Sequence, residues 1–98
     1  MEVEWDEEKR RANIAKHGVD FQYAALIFEG VTLSRIDDRL DYSEERMISL
    51  GMVEDECFVV VHTERNGCTR IISAWKGGRD ERRYYSEGVA RHAPQAGG

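Results

Sequence analysis

Cysteine is scarce in this 98-residue chain: Cys57 and Cys68 stand beside three histidines, His17, His62 and His92. No pair among them has the short spacing of a zinc motif, so no zinc site or other cofactor is expected. Long apolar runs are missing too; none approaches the roughly 18 residues a membrane span needs. The opening residues Met1-Glu2-Val3-Glu4-Trp5-Asp6 are acidic, where a secretory signal is basic and then apolar. A cytoplasmic location without membrane attachment is the expectation. There is no internal repeat, and the length leaves no room for a second core. Residues 1–90 read as one domain and residues 91–98 as a small, polar, flexible tail.

Charge is plentiful but uneven. The formal net charge is −5, yet residues 1–64 hold 7 Lys/Arg against 16 Asp/Glu, and residues 65–98 hold 7 against 3. The acidic total argues against a protein that coats nucleic acid without selectivity, because such binding rests on many cation–phosphate contacts. A nucleic-acid surface confined to the C-terminal third fits the asymmetry.

Val3 and Trp5 begin a short strand. Asp6 then has the features of an N-cap, with Glu7 and Glu8 at the positive end of a helix that closes at Lys16-His17-Gly18. The apolar face of that helix is thin (Ala12, Ile14, Ala15). After Asp20, Phe21, Ala24, Ala25 and Phe28 fall at the i, i+3, i+4, i+7 spacing of a buried helical stripe that Gly30 ends. Strand patterns follow over 31–37, 46–53, 57–64 and 69–75. Asn66-Gly67 is a strong hairpin signal, since both residues tolerate positive φ. Gly77-Gly78 breaks the sheet, and Arg79 to about Val89 reads as a last helix. The order β-α-α-β-β-β-β-α implies an α+β fold. Its simplest packing is an antiparallel meander with the two N-terminal helices on one face and the third near its end.

A two-residue turn at Asn66-Gly67 sets Arg65 opposite Cys68, Thr63 opposite Arg70, His62 opposite Ile71, Val60 opposite Ser73 and Phe58 opposite Trp75. Opposed residues share a face. One face then carries Val59, Val61, Ile72 and Ala74, with Thr63, Arg65 and Arg70 near the turn. The other carries Phe58, Val60, His62, Ile71, Ser73 and Trp75. The first is taken as the face the helices cover. The two cysteines fall near opposite ends of the hairpin, roughly 30 Å apart at about 3.4 Å per residue, too far for a disulfide. That suits a reducing compartment.

Several groups could carry chemistry. His62, mid-strand near Ser73 and Trp75, is either a hydrogen-bonded core histidine or an imidazole placed to move a proton. His17 reads as a helix C-cap, where a cation suits the dipole. Arg65, Arg70 and Lys76 share the hairpin and could stabilise charge on a phosphoryl group; solubility of a surface strand is the plainer account. Arg79, Arg82 and Arg83 form one stripe of the last helix, a solvated face or a phosphate-binding one. Trp75, Tyr84 and Tyr85 are core aromatics or platforms for bases. The acidic run Asp37-Asp38-Arg39-Leu40-Asp41 with Glu44 has the composition of a divalent-metal site, though a solvated loop explains it more simply.

Segments in this order and spacing resemble the BrnT toxin family over about residues 2–86. They are Glu4-Trp5-Asp6-Glu7-Glu8-Lys9, Asn13-Ile14-Ala15-Lys16-His17-Gly18-Val19-Asp20-Phe21, Ala24-Ala25-Leu26-Ile27-Phe28, Glu45-Arg46, Gly51, Val60-Val61-His62-Thr63-Glu64-Arg65, Arg70-Ile71-Ile72-Ser73-Ala74 and Glu81-Arg82-Arg83-Tyr84-Tyr85. The resemblance implies a RelE-like fold and metal-independent cleavage of RNA that inhibits translation. It also implies a cognate DNA-binding antitoxin that neutralises the toxin, operator DNA being reached only through that antitoxin. On this basis His62 is assigned as acid or base, Arg65, Arg70, Arg46 and Lys76 as phosphate cations, and Trp75, Arg79, Arg82 and Arg83 as RNA contacts. A non-catalytic antitoxin-binding module or co-repressor is the alternative. The second apolar sheet face leads to an expectation of a homodimer or of a heterotetramer with the antitoxin.

Overall fold

Asp6 opens the first helix. Its backbone is extended (φ −86°, ψ 129°), and its Oδ1 accepts hydrogen bonds from the amides of Glu8 and Lys9 at 2.9 and 3.1 Å. Gly18 closes the same helix in the left-handed region (φ 70°), its amide reaching the Ile14 carbonyl at 2.8 Å. The computed structural model describes residues 1–92. In chain order these form β1 (Val3–Trp5), α1 (Glu7–His17), α2 (Phe21–Ala24, continued by a 3-10 turn Ala25–Glu29) and β2 (Leu33–Ile36). Then come β3 (Met47–Val53), β4 (Glu56–Arg65), β5 (Cys68–Lys76) and α3 (Arg79–His92). Arg91 and His92, expected in the tail, are therefore helical; the rest of that expected tail lies outside the described residues. No described helix is long and apolar enough to cross a membrane.

The five strands make one sheet in the order β1-β5-β4-β3-β2. β2 to β5 form the antiparallel meander that the sequence predicts. β1 differs: it joins the free edge of β5 in parallel, Val3 beside Thr69 and Trp5 beside Ile71, so the sheet is mixed. At the β4–β5 turn both Asn66 (φ 53°) and Gly67 (φ 80°) take the positive φ that a primed two-residue turn requires. Both cysteines are free.

The predicted hairpin register holds from Arg65 opposite Cys68 up to His62 opposite Ile71 and then slips. Val61 pairs with Ser73, Val60 with Ala74 and Phe58 with Lys76, leaving Ile72 as an extra residue in β5. This is a β-bulge, and because side chains alternate with period two, one inserted residue exchanges the faces of everything beyond it. Ala74 moves to the face of Phe58, Val60 and Ile71, and Ser73 and Trp75 move to the opposite one. The expected assignment of the helical core is thereby reversed. The face that the first two helices cover carries Phe58, Val60, Ile71 and Ala74, packed with Val19, Phe21, Ala24 and Ile27. The other face holds Ile48, Leu50, Val59 and Val61, with Ile72, Trp75 and Tyr85 against it. α3 lies over this second face at the β2–β3 end, with Tyr85 Oη donating to the Val31 carbonyl at 2.6 Å.

Two close approaches fix the layers. A Cβ on Gly51 would stand 2.6 Å from Cβ of Ile27, so only glycine lets the 3-10 turn after α2 touch β3. α1 docks differently, through one polar side chain. Asn13, 6% exposed, donates from Nδ2 to the carbonyls of Val19 (2.9 Å) and Ala74 (2.8 Å). Its Oδ1 accepts from the Ala74 amide (3.2 Å) and the Ser73 hydroxyl (3.3 Å). β1 covers β5 only as far as Ile71. Asn13 therefore takes the place of a neighbouring strand at Ala74, which explains how a helix with so little apolar surface stays attached.

Candidate functional site

Three chain segments meet on the outer sheet face because of these features. The bulge turns Ser73 and Trp75 outward. The Asn13 clamp carries the C-terminal end of α1, with Lys16 and His17, alongside β5, and the His17 and Trp75 rings lie 6.0 Å apart. The third segment is the loop from Asp37 to Arg46, closed by the Asp37 amide donating to the Arg46 carbonyl at 2.7 Å. Inside that loop the buried Asp37 carboxylate holds the Arg39 guanidinium through two bonds of 2.7 and 2.9 Å. Those bonds from Arg39 hold the Asp37 carboxyl down at about 2 despite burial. Arg39 in turn lies over the Trp75 ring, 5.7 Å from its centre.

The result is an open cleft of about 690 Å³ lined by Lys16, His17, Arg39, Arg46, Trp75 and Lys76, with Val61, Ile72 and Ser73 beneath them. Among the described residues four cations line it and no carboxylate does, in a chain whose net charge is −5. Arg39 is tied to Asp37, and Lys76 to Glu56 at 3.1 Å. Lys16 and Arg46 have no carboxylate partner among the described residues. Arg46 stands out further. Its guanidinium carbon sits 4.0 Å above the Tyr42 ring, and its Nε is buried with no hydrogen-bond partner. A buried unpaired donor costs about 1–3 kcal/mol. Such a cleft can hold a polyanion, stack an aromatic group on Trp75, and offer the exposed His17 imidazole for proton exchange.

Of the residues singled out in the sequence, the structure brings Arg46, Trp75 and Lys76 together. The grouping of His62 with them is corrected. His62 is 8% exposed on the opposite, helix-covered face, with the Phe28 ring edge-on at 5.1 Å. Its Nε2 bonds to Ser49 Oγ at 2.7 Å, Ser49 bonds to Ser34 at 2.6 Å, and its Nδ1 is buried without a partner. Burial pushes its pKa down, which keeps the ring neutral. Arg70 shares the outer face but lies nearer the turn, paired with Glu4 at 3.7 Å. Arg65, near the tip, bonds to Glu44 at 3.1 Å. On α3, Arg82 donates to the Asp55 carbonyl at 2.7 Å and Arg83 faces Glu87 at 3.7 Å; neither they nor Arg79 line the cleft. The acidic loop does not converge either, since Asp37 and Glu44 are each taken up by an arginine.

Lys16, His17 and Arg39 are the site residues that sequence reasoning missed. Three of the four cleft cations, Lys16, Arg39 and Arg46, come from the acidic first two-thirds of the chain, so the basic surface is not confined to the C-terminal third. The available signal was Lys-His-Gly itself, two basic residues ending a helix whose capping role needs only one.

The profile of the family described as "Ribonuclease toxin, BrnT, of type II toxin-antitoxin system" matches residues 5–85. A search of curated proteins found no match.

Proposed function

The chain belongs to the BrnT family of ribonuclease toxins of type II toxin–antitoxin systems, and on that premise we propose that its cationic cleft cuts RNA without a metal ion. The observation that carries this reading is the gathering of Lys16, Arg39, Arg46 and Lys76 around His17 and Trp75, with no carboxylate lining the cleft among the described residues. RNA can be cut with its own 2′-hydroxyl as nucleophile, so the site needs only a base, cations and a way to orient the chain. His17, in its neutral form, takes the 2′-hydroxyl proton. The oxygen attacks the adjacent phosphorus, the bond to the 5′-oxygen breaks, and water entering the open cleft protonates that oxygen. Arg46, which lines the cleft, faces the phosphoryl group as charge builds on it, and its guanidinium supplies the stabilising cation there. Lys16, Arg39 and Lys76 hold the flanking phosphates, and Trp75 stacks a base.

In the cell this activity inhibits translation in the cytoplasm, carried out by residues 1–90 as one RelE-like domain. Membership of a type II system gives the chain an antitoxin partner. In this reading the antitoxin binds DNA, brings the toxin to operator DNA, and joins it in a heterotetramer.

The purified chain mixed with single-stranded RNA is expected to yield fragments ending in 2′,3′-cyclic phosphate and 5′-hydroxyl groups, at the same rate with and without EDTA. Loss of cleavage in EDTA would refute the metal-free chemistry. A folded chain that binds its antitoxin but cuts nothing would identify the non-catalytic module instead.

A further inference from the structure

A second concavity, of about 590 Å³, adjoins the cationic cleft on the same sheet face and shares Arg39 and Trp75 with it. Its character is different. Ile48, Leu50 and Val59 form an apolar floor, β2 adds Arg35, and α3 supplies Asp80, Glu81 and Tyr84. Tyr84 is 57% exposed, so its ring is open to a ligand. Glu81 is anchored by accepting from the Gly78 amide at 3.3 Å through Oε1, which leaves its other oxygen open. Asp80 has no ion-pair partner among the described residues.

We propose that this groove is a base-selective subsite for the RNA, taking the guanine of a nucleotide next to the one that is cut. The inference rests on the cleft being the RNA site. Arg35 and Arg39 offset the two carboxylates, so the groove lacks the net positive charge of the cleft, and a backbone lying along Lys16, Arg46 and Lys76 offers it a base. The floor and the flanking Trp75 and Tyr84 rings suit a flat, weakly polar body, and its volume is ample for one base. A carboxylate can only accept hydrogen bonds. Guanine alone presents two adjacent donors, N1–H and the N2 amine, on its pairing edge. Adenine and cytosine set an unprotonated ring nitrogen beside their amine, and uracil flanks its single N–H with carbonyls, so each turns an acceptor toward the carboxylates.

The test uses short oligouridylates with one internal G, A, C or inosine. Each is prepared as cleavable RNA and as the uncleavable 2′-O-methyl form. Full-length protein is expected to cut and bind the G oligomer about tenfold better than the A or C oligomers, with inosine, which lacks the N2 amine, between them. In Asp80→Asn or Glu81→Gln the preference should collapse toward parity, with cutting of plain oligouridylate unchanged. Equal treatment of all four bases, or a guanine preference surviving in both variants, overturns the proposal. Cutting without preference refutes only the subsite. Preferential binding without cutting supports the subsite and refutes the ribonuclease reading, and neither binding nor cutting refutes both.

Discussion

Replacing Arg46 by methionine is expected to lower RNA cleavage by about 10²–10³-fold while leaving the fold as stable as before or more so. The two halves of that expectation come from the same atoms. The guanidinium is stacked on Tyr42, and its Nε is buried without a hydrogen-bond partner. A group held that way raises the free energy of the empty protein, and a methionine of similar length keeps the packing while removing the unpaired donor. A cation stabilising a transition state in a partly dry site contributes several kcal/mol that methionine cannot supply. Steady-state cleavage and urea denaturation of the same variant decide the matter. A structural arginine would behave the opposite way, with stability falling and the activity per folded molecule retained. Arg46→Lys keeps the charge but loses the planar fork, so it should fall between the two.

The second large effect is on stability. Asn13→Ala is expected to destabilise the chain by about 3–4 kcal/mol, a large share of the 5–15 typical of a domain. The Asn13 amide makes four hydrogen bonds, two as donor and two as acceptor, in a buried position. Truncation strands the buried Ala74 amide and carbonyl at a stretch of sheet edge that β1 does not reach. Thermal unfolding should drop by about 15 °C or more. Asn13→Asp, which keeps the acceptor and loses both donors, should fare little better. A loss under about 1 kcal/mol in both variants would mean that α1 is held by something other than this clamp. Because the clamp also carries Lys16 and His17 to β5, cleavage should weaken even below the melting range.

These two residues also mark how far the sequence could be read. The N-cap at Asp6, the glycine cap, the Asn-Gly turn and the order of the elements along the chain followed from local rules, because each rests on a few neighbouring residues. The bulge did not. Ile71-Ile72-Ser73-Ala74 is apolar enough on both faces that either register satisfies the pattern, and the choice is made by β1 and Asn13 gripping β5 from its free side. That one-residue slip reversed the assignment of the two faces and moved Trp75 away from His62. The pairing of β1 with β5 was equally hidden, since its partners are separated by 66 residues in sequence.

The site was legible only in part for the same reason. Arg46, Trp75 and Lys76 could be chosen from residue type and position on the strands. His17 could not, because its helix-end position has a sufficient local explanation and its proximity to Trp75 depends on a tertiary contact. Arg39 was likewise hidden within an acidic run, and only the buried Asp37 carboxylate makes it a fixed cation over an aromatic ring.

The most direct measurement compares His17→Ala with His62→Gln, each checked for folding by circular dichroism and assayed on the same RNA. His17→Ala is expected to cut about 10²-fold more slowly, the usual contribution of a positioned base. His62→Gln, altered only beneath the helices, is expected to cut at nearly the native rate. Native cleavage by His17→Ala with loss in a folded His62→Gln would return the chemistry to the helix-covered face.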